Sequence, residues 1–132
     1  MTLAGRPGTR ALLLVDDESL ILAAALCRTL RASDLELVTA SPAEEALSIL
    51  GTRSIDAILC DHRMPGTSGL DLLGQVASDR PHVRRALLTG LPETVDREQC
   101  RALGLSALIP KPWEREDLLR RVEALLPPRD GP

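Results

Sequence analysis

The chain of 132 residues contains no tyrosine, no phenylalanine, one tryptophan (Trp113) and one lysine (Lys111). Without aromatics the core has to be built from Leu, Ile, Val and Ala. Hydrophobic residues make up 44% of the chain, enough for one sizeable core in one domain. There is no basic excess: the net charge is −3, which argues against a nucleic acid or an anionic membrane as the main partner. Cys27, Cys60 and Cys100 are odd in number, far apart and without CxxC spacing. They read as reduced, mostly buried thiols of a cytoplasmic protein, not as a disulfide or zinc framework. His62 and His82 are too few for a histidine-based metal site. No apolar run approaches the length of a membrane span, and the N-terminus lacks a basic-then-apolar secretory pattern.

What is present is an alternation of short apolar runs and amphipathic stretches. Residues 1–10 lack any apolar period and read as a loose tail, and 127–132 read as a tail or the start of a linker, leaving 11–126 as the domain. The run "ALLLV" (Ala11 to Val15) predicts a strand buried on both faces. A helix follows over Leu20 to Arg31, then a strand over Leu35 to Ala40. In "SPAEEALSILG", Ser41 reads as N-cap, Pro42 as the first helical residue, Glu44 as the partner in a capping box and Gly51 as a left-handed stop. Ile55 to Cys60 is a third strand, and the loop "DHRMPGTSG" leads to a helix striped by Leu70, Leu73, Val76 and Ala77. A fourth strand (Val83 to Thr89), a short polar helix near Val95 to Leu103 and a fifth strand ("LSALI") come next. Leu118, Val122, Leu125 and Leu126 stripe the last helix. Five alternations of strand and helix specify an α/β fold with a five-stranded, mainly parallel sheet, because parallel strands need helical crossovers.

In open α/β sheets ligands bind beyond the carboxyl ends of the strands. The first strand ends in Asp16 and Asp17, the third in Asp61, the fourth in Thr89 and the fifth in Lys111. Each has an ordinary use: the acidic pair suits a helix cap, Asp61 a turn, Thr89 a strand end and Lys111 a solvated loop. Together they are chemically complementary. Three clustered carboxylates would repel one another without a cation, and oxygen-only donors suit Mg²⁺, which favours phosphate as a co-ligand. Lys111 is the one ammonium among fifteen guanidinium groups and sits between Pro110 and Pro112. A compact point charge fits where a planar guanidinium needs a wider seat.

The segments "LLLVDDES", "ILCDHRMPGTSGLDLL", "ALLTG" and "LIPKPW" resemble, in order and near-family spacing, the receiver domain of two-component response regulators over about Ala11 to Leu126. The resemblance implies a doubly wound, flavodoxin-like sheet of order 2-1-3-4-5 with helices on both faces. It implies that Asp61 is the phosphoacceptor, served by a sensor histidine kinase or phosphotransfer protein. Asp16, Asp17, Asp61 and the backbone carbonyl of Arg63 would ligate Mg²⁺, while Thr89 and Lys111 would contact the phosphoryl group. The face made by the fourth helix, fifth strand and fifth helix would meet an output domain or a second copy.

Two departures from the family stand out. Relatives usually carry an aromatic residue or histidine three positions before the lysine, where this chain has Leu108. A leucine can fill vacated space by changing rotamer but has no ring to present, so coupling to the output face is expected to be weaker or differently routed. Arg63 and Leu91 do not obviously position a water at the site, which implies a moderately long-lived phosphoaspartate. Trp113 reads as an anchor at the start of the last helix. An aspartyl-phosphate phosphohydrolase would carry a second acid two residues after Asp61, where Arg63 stands. The remaining alternative is a receiver-fold adaptor that works without phosphorylation.

Overall fold

A computed structural model describes residues 10–16, 35–41, 43–62, 68–90, 92–111 and 113–127. Five strands are present: β1 (Arg10–Val15), β2 (Leu35–Ala40), β3 (Ala57–Asp61), β4 (Arg84–Thr89) and β5 (Ala107–Pro110). Among the described residues four helices accompany them: α1 (Ala43–Thr52), α2 (Gly69–Asp79), α3 (Arg97–Ala102) and α4 (Arg115–Leu125), with a 3-10 turn at Pro92–Thr94. The strands form one sheet of order β2-β1-β3-β4-β5, and every pairing is parallel. Fold class and strand order are those expected from the sequence. The helix expected over Leu20 to Arg31 lies outside the described residues.

The strict two-residue period of a strand sorts the central strands between two cores. Leu13, Val15, Ile58, Cys60 and Leu87 face one side, against Ala46 and Leu50 of α1, Leu70, Leu72, Leu73 and Val76 of α2, and Cys100 of α3. Leu12, Leu14, Leu59, Ala86, Leu88 and Ile109 face the other, against Leu118, Val122 and Leu125 of α4. Each of those α4 side chains is almost wholly withdrawn from water, contributing about 2 kcal/mol apiece. Both faces of β1 and β3 are therefore covered, which is why those segments read as continuous apolar runs.

Several local expectations are corrected. β1 begins at Arg10, which is buried, one residue before the apolar run that predicts the strand. Gly51 is helical, and α1 continues to Thr52. Among the described residues the glycine with positive φ is Gly104, at +65°, just after α3. There Arg85 closes the helix end, its Nε donating to the Leu103 carbonyl at 3.0 Å and its Nη2 to the Gly104 carbonyl at 3.4 Å. The carboxylate that reaches back to the Ser41 N–H, at 3.0 Å, belongs to Glu45 and not to Glu44. On α2 the buried stripe is Leu70, Leu72, Leu73 and Val76; Ala77 is only half-buried, because Leu72 faces the sheet. Pro42 lies outside the described residues. Trp113 packs half-buried on the Leu118–Val122 side just before α4, whose N-cap Glu114 accepts from the Glu116 and Asp117 N–H groups.

Candidate functional site

The carboxyl ends of the strands hold the polar groups. β3 delivers Asp61 as its last residue, 6% exposed, and the β1–β3 register that sets Val15 beside Cys60 leaves Asp16, 4% exposed, at the neighbouring strand end. Asp16 is fixed there by its N–H, which donates to the Ala40 carbonyl at 3.2 Å. Both carboxylates act on Cys60: burial pushes its thiol far above the ordinary range, and the charges of Asp61 and Asp16 push the same way. The Cys60 thiol donates to the Asp61 carbonyl at 3.4 Å and faces the core.

The positive charge comes from across the sheet. Thr89 ends β4 and is buried, and its carbonyl accepts the Lys111 N–H at 2.7 Å, fixing the backbone just past β5. From there the Lys111 Nζ reaches the Asp61 Oδ1 at 3.1 Å. The lysine side chain is about one-third exposed and that of Asp61 only 9%, so the pair opens to solvent on the lysine side. Of the expected site residues, Asp16, Asp61, Thr89 and Lys111 therefore stand at four strand ends of one sheet edge. Asp17, Arg63 and Leu91 lie outside the described residues.

Two further residues shape this edge. His62, directly after Asp61, is pinned on both sides of its backbone: its N–H donates to Leu88 O at 2.8 Å and its carbonyl accepts Gly69 N–H at 3.0 Å. Its ring Nδ1 lies 3.2 Å from Thr89 Oγ1. Nothing in the sequence signals this contact, which joins residues 27 apart. Gly69 opens α2, and a Cβ there would stand 2.1 Å from the Asp61 carbonyl oxygen and 3.0 Å from its carbonyl carbon. Only glycine allows α2 to begin against the backbone that carries Asp61.

Among the described residues, no group of three or more His, Cys, Asp or Glu side chains is placed to hold a metal ion. Asp16 and Asp61 nevertheless offer a hard cation two buried carboxylates at adjacent strand ends, with oxygen as the only donor type, and so fit a divalent ion such as Mg²⁺.

Beside this edge, Leu108 packs half-buried against the core, and its carbonyl accepts from Arg121 Nη1 at 3.4 Å. It also lines an open cavity of about 490 Å³ with Arg97, Cys100, Arg101, Leu105, Ser106 and Ala107. Space for a change of leucine rotamer therefore exists between α3 and β5.

Residues 12–123 match the family described as response regulator receiver domain. The hydrogenase transcriptional regulatory protein HoxA of Cupriavidus necator is 34% identical over 111 residues, covering 83% of this chain and 23% of that protein. The chain spans about half or less of the length of the curated relatives it matches. The signal receiver domain of an HD domain-containing protein from Pseudomonas fluorescens superposes with a TM-score of 0.80 at 27% identity, over 95% of this chain and 92% of that one. The response regulator protein TrrA of Thermotoga maritima, solved in complex with Mg²⁺-BeF, gives 0.76 at 27% identity, over 89% and 99%.

Proposed function

The chain belongs to the response regulator receiver domain family, and on that premise we propose that it is a phosphorylation-dependent signalling switch with Asp61 as its phosphoacceptor. The observation that carries this reading is the buried Asp61 carboxylate held 3.1 Å from the only lysine of the chain. A carboxylate oxygen of Asp61 attacks phosphorus, the P–N bond of a donor phosphohistidine breaks, and the imidazole leaves with the bonding pair. The product is an acyl phosphate on Asp61. The donor is a sensor histidine kinase or a phosphotransfer protein.

Phosphoryl transfer asks the protein for alignment and for positive charge around the equatorial oxygens. Lys111 supplies that charge by passing its hydrogen bond from the carboxylate to the new phosphoryl oxygens. A compact ammonium on a flexible stem can follow that shift where a guanidinium would need a bidentate seat. Thr89 donates its hydroxyl to the same group. Asp16, Asp17, Asp61 and the Arg63 carbonyl would hold Mg²⁺, which when bound would supply positive charge between the carboxylates and beside the transferring group. The domain catalyses its own phosphorylation and dephosphorylation and no other turnover.

The signal leaves by the face of α3, β5 and α4. Movement of Thr89 along β4 opens space beside β5, and Leu108 fills it by changing rotamer into the adjoining cavity. That face meets an output domain or a second copy of the chain. No helix among the described residues is long and apolar enough to cross a membrane; a phosphoryl supply from a sensor kinase or phosphotransfer protein supports a cytoplasmic site of action. Incubating the protein with Mg²⁺ and a small-molecule phosphodonor tests the central step. The expected product is an acid-stable, base-labile adduct on Asp61; a wild-type protein that acquires none sinks the reading.

A further inference from the structure

The contact between His62 and Thr89 is not used by the mechanism above. Thr89 Oγ1 carries one proton, and phosphoryl oxygens are pure acceptors. The hydroxyl can therefore serve the phosphoryl group only after turning that proton away from any other acceptor. His62 Nδ1 stands 3.2 Å from it. The backbone that carries the imidazole is fixed, tied to Leu88 on β4 and to Gly69 at the start of α2. Thr89 is tied in turn through its carbonyl to the Lys111 N–H. Two fixed backbones thus carry the ring and the hydroxyl, which meet at 3.2 Å.

We infer that His62 is a positioning residue that latches Thr89 in the unmodified protein, its Nδ1 accepting the hydroxyl proton until the phosphoryl group competes for it. The inference rests on the reading of Asp61 as phosphoacceptor and adds a step to it. Phosphorylation exchanges one hydrogen bond, hydroxyl to imidazole, for another, hydroxyl to phosphoryl oxygen, with no change in the number of protons. The latch makes the resting state more favourable and sets a threshold that the phosphoryl group has to overcome.

The test measures the rate of Asp61 phosphorylation by a small phosphodonor in Mg²⁺, with wild type, His62→Ala and His62→Asn. Removing the latch in His62→Ala is expected to speed phosphorylation roughly two- to tenfold, the span commanded by one neutral hydrogen bond. His62→Asn, whose amide can return an acceptor near the Nδ1 position, is expected to bring the rate back towards wild type. In a Thr89→Ala background, His62→Ala is expected to add nothing, since no hydroxyl remains to be held. A slower or unaltered rate in His62→Ala, or the same acceleration without the Thr89 hydroxyl, overturns the inference while leaving Asp61 as acceptor. Absence of any adduct in wild type overturns the parent reading instead.

A second measurement avoids substitutions altogether. Ring ¹⁵N chemical shifts of His62 in the wild-type protein are expected to show an unprotonated, hydrogen-bonded Nδ1, and to change when Mg²⁺ and beryllofluoride are added. An Nδ1–H tautomer in the unmodified protein, or a signal indifferent to beryllofluoride, overturns the latch.

Discussion

Arg10 and Asp61 are almost equally buried, at 4% and 6% exposure, yet they sit at opposite ends of the sheet and are compensated in different ways. At the amino end Arg10 makes a two-pronged pair with Glu123 of α4, at 2.9 and 3.2 Å, and donates to the Pro127 carbonyl. Asp56 accepts the Ala11 N–H at 2.8 Å, donates its own N–H to Ala11 O and accepts the Arg84 N–H, lacing three strands together. Arg53 pairs with Glu36, and Arg85 spends its guanidinium on backbone carbonyls. Charges there are met by opposite charges or by backbone groups. At the carboxyl end two buried carboxylates, Asp16 and Asp61, share an edge with one ammonium. Buried charge met by opposite charge or by backbone groups fixes a structure, whereas two buried carboxylates at neighbouring strand ends suit a hard cation.

The sharpest way to separate the two ends is Asp61→Asn. Phosphorylation should vanish entirely, yet in Mg²⁺-free buffer the unfolding free energy should stay within about 1 kcal/mol of wild type, because the Lys111–Asp61 pair that is lost opens to solvent on the lysine side. Lys111, one-third exposed, can be hydrated once its partner is neutral. Denaturant titration beside the adduct assay reads both. A variant that loses stability would mean that the carboxyl end is built like the amino end.

Gly69→Ala attacks the same end through the backbone. The new Cβ would stand 2.1 Å from the Asp61 carbonyl, and neither α2 nor β3 has a flexible side chain there to yield. A loss of about 3 kcal/mol is expected, with slower phosphorylation in the molecules that remain folded. Stability within 1 kcal/mol of wild type, read by the same titration, would refute the close approach.

Arg10→Leu probes the amino end. It removes a buried guanidinium and leaves Glu123, 40% exposed at its side chain, able to take up water. The expected cost is about 2 kcal/mol, below that of a wholly buried pair. Phosphorylation per folded molecule should stay at the wild-type rate, since Arg10 lies at the far end of β1 from Asp16. A changed rate would show that the two ends are coupled.

The same contrast governs what the sequence could reveal. Strand ends are legible because an apolar run has to stop, and Asp16, Asp61, Thr89 and Lys111 are the residues at which the runs stop. The cores were legible as well, since each face follows from the period of its element. Arg10 was not: it closes a segment without apolar period, and its partner lies 113 residues away. The His62–Thr89 contact has the same origin, a neighbour created by β3–β4 pairing and not by spacing. Gly51 and Gly104 show the limit at short range. Both follow helical stretches, but Gly104 takes positive φ where Arg85 of β4 receives the helix end, while α1 continues through Gly51.

The smallest expected effect concerns Cys60, which lies between the core and the carboxylate edge. Burial is the first cause of its raised pKa, with Asp61 and Asp16 adding to it. The unfolded chain releases this proton around the ordinary value of 9.0, whereas the folded chain keeps it well beyond. Below 9.0 both states hold the proton and stability is whole. Above it the unfolded state binds fewer protons, so stability falls with rising pH by up to about 1.4 kcal/mol per unit for this thiol. Cys100 shifts in the same direction, also through burial, but Arg97 opposes it, so its share should be smaller. Unfolding free energies over the first pH unit above 9.0 should thus fall less steeply in Cys60→Ala than in wild type or Cys100→Ala. Asp61→Asn should keep most of the slope, because burial outranks the carboxylates as the cause. If Asp61→Asn flattened the curve as much as Cys60→Ala, the charge at the strand ends, and not the core, would govern this thiol.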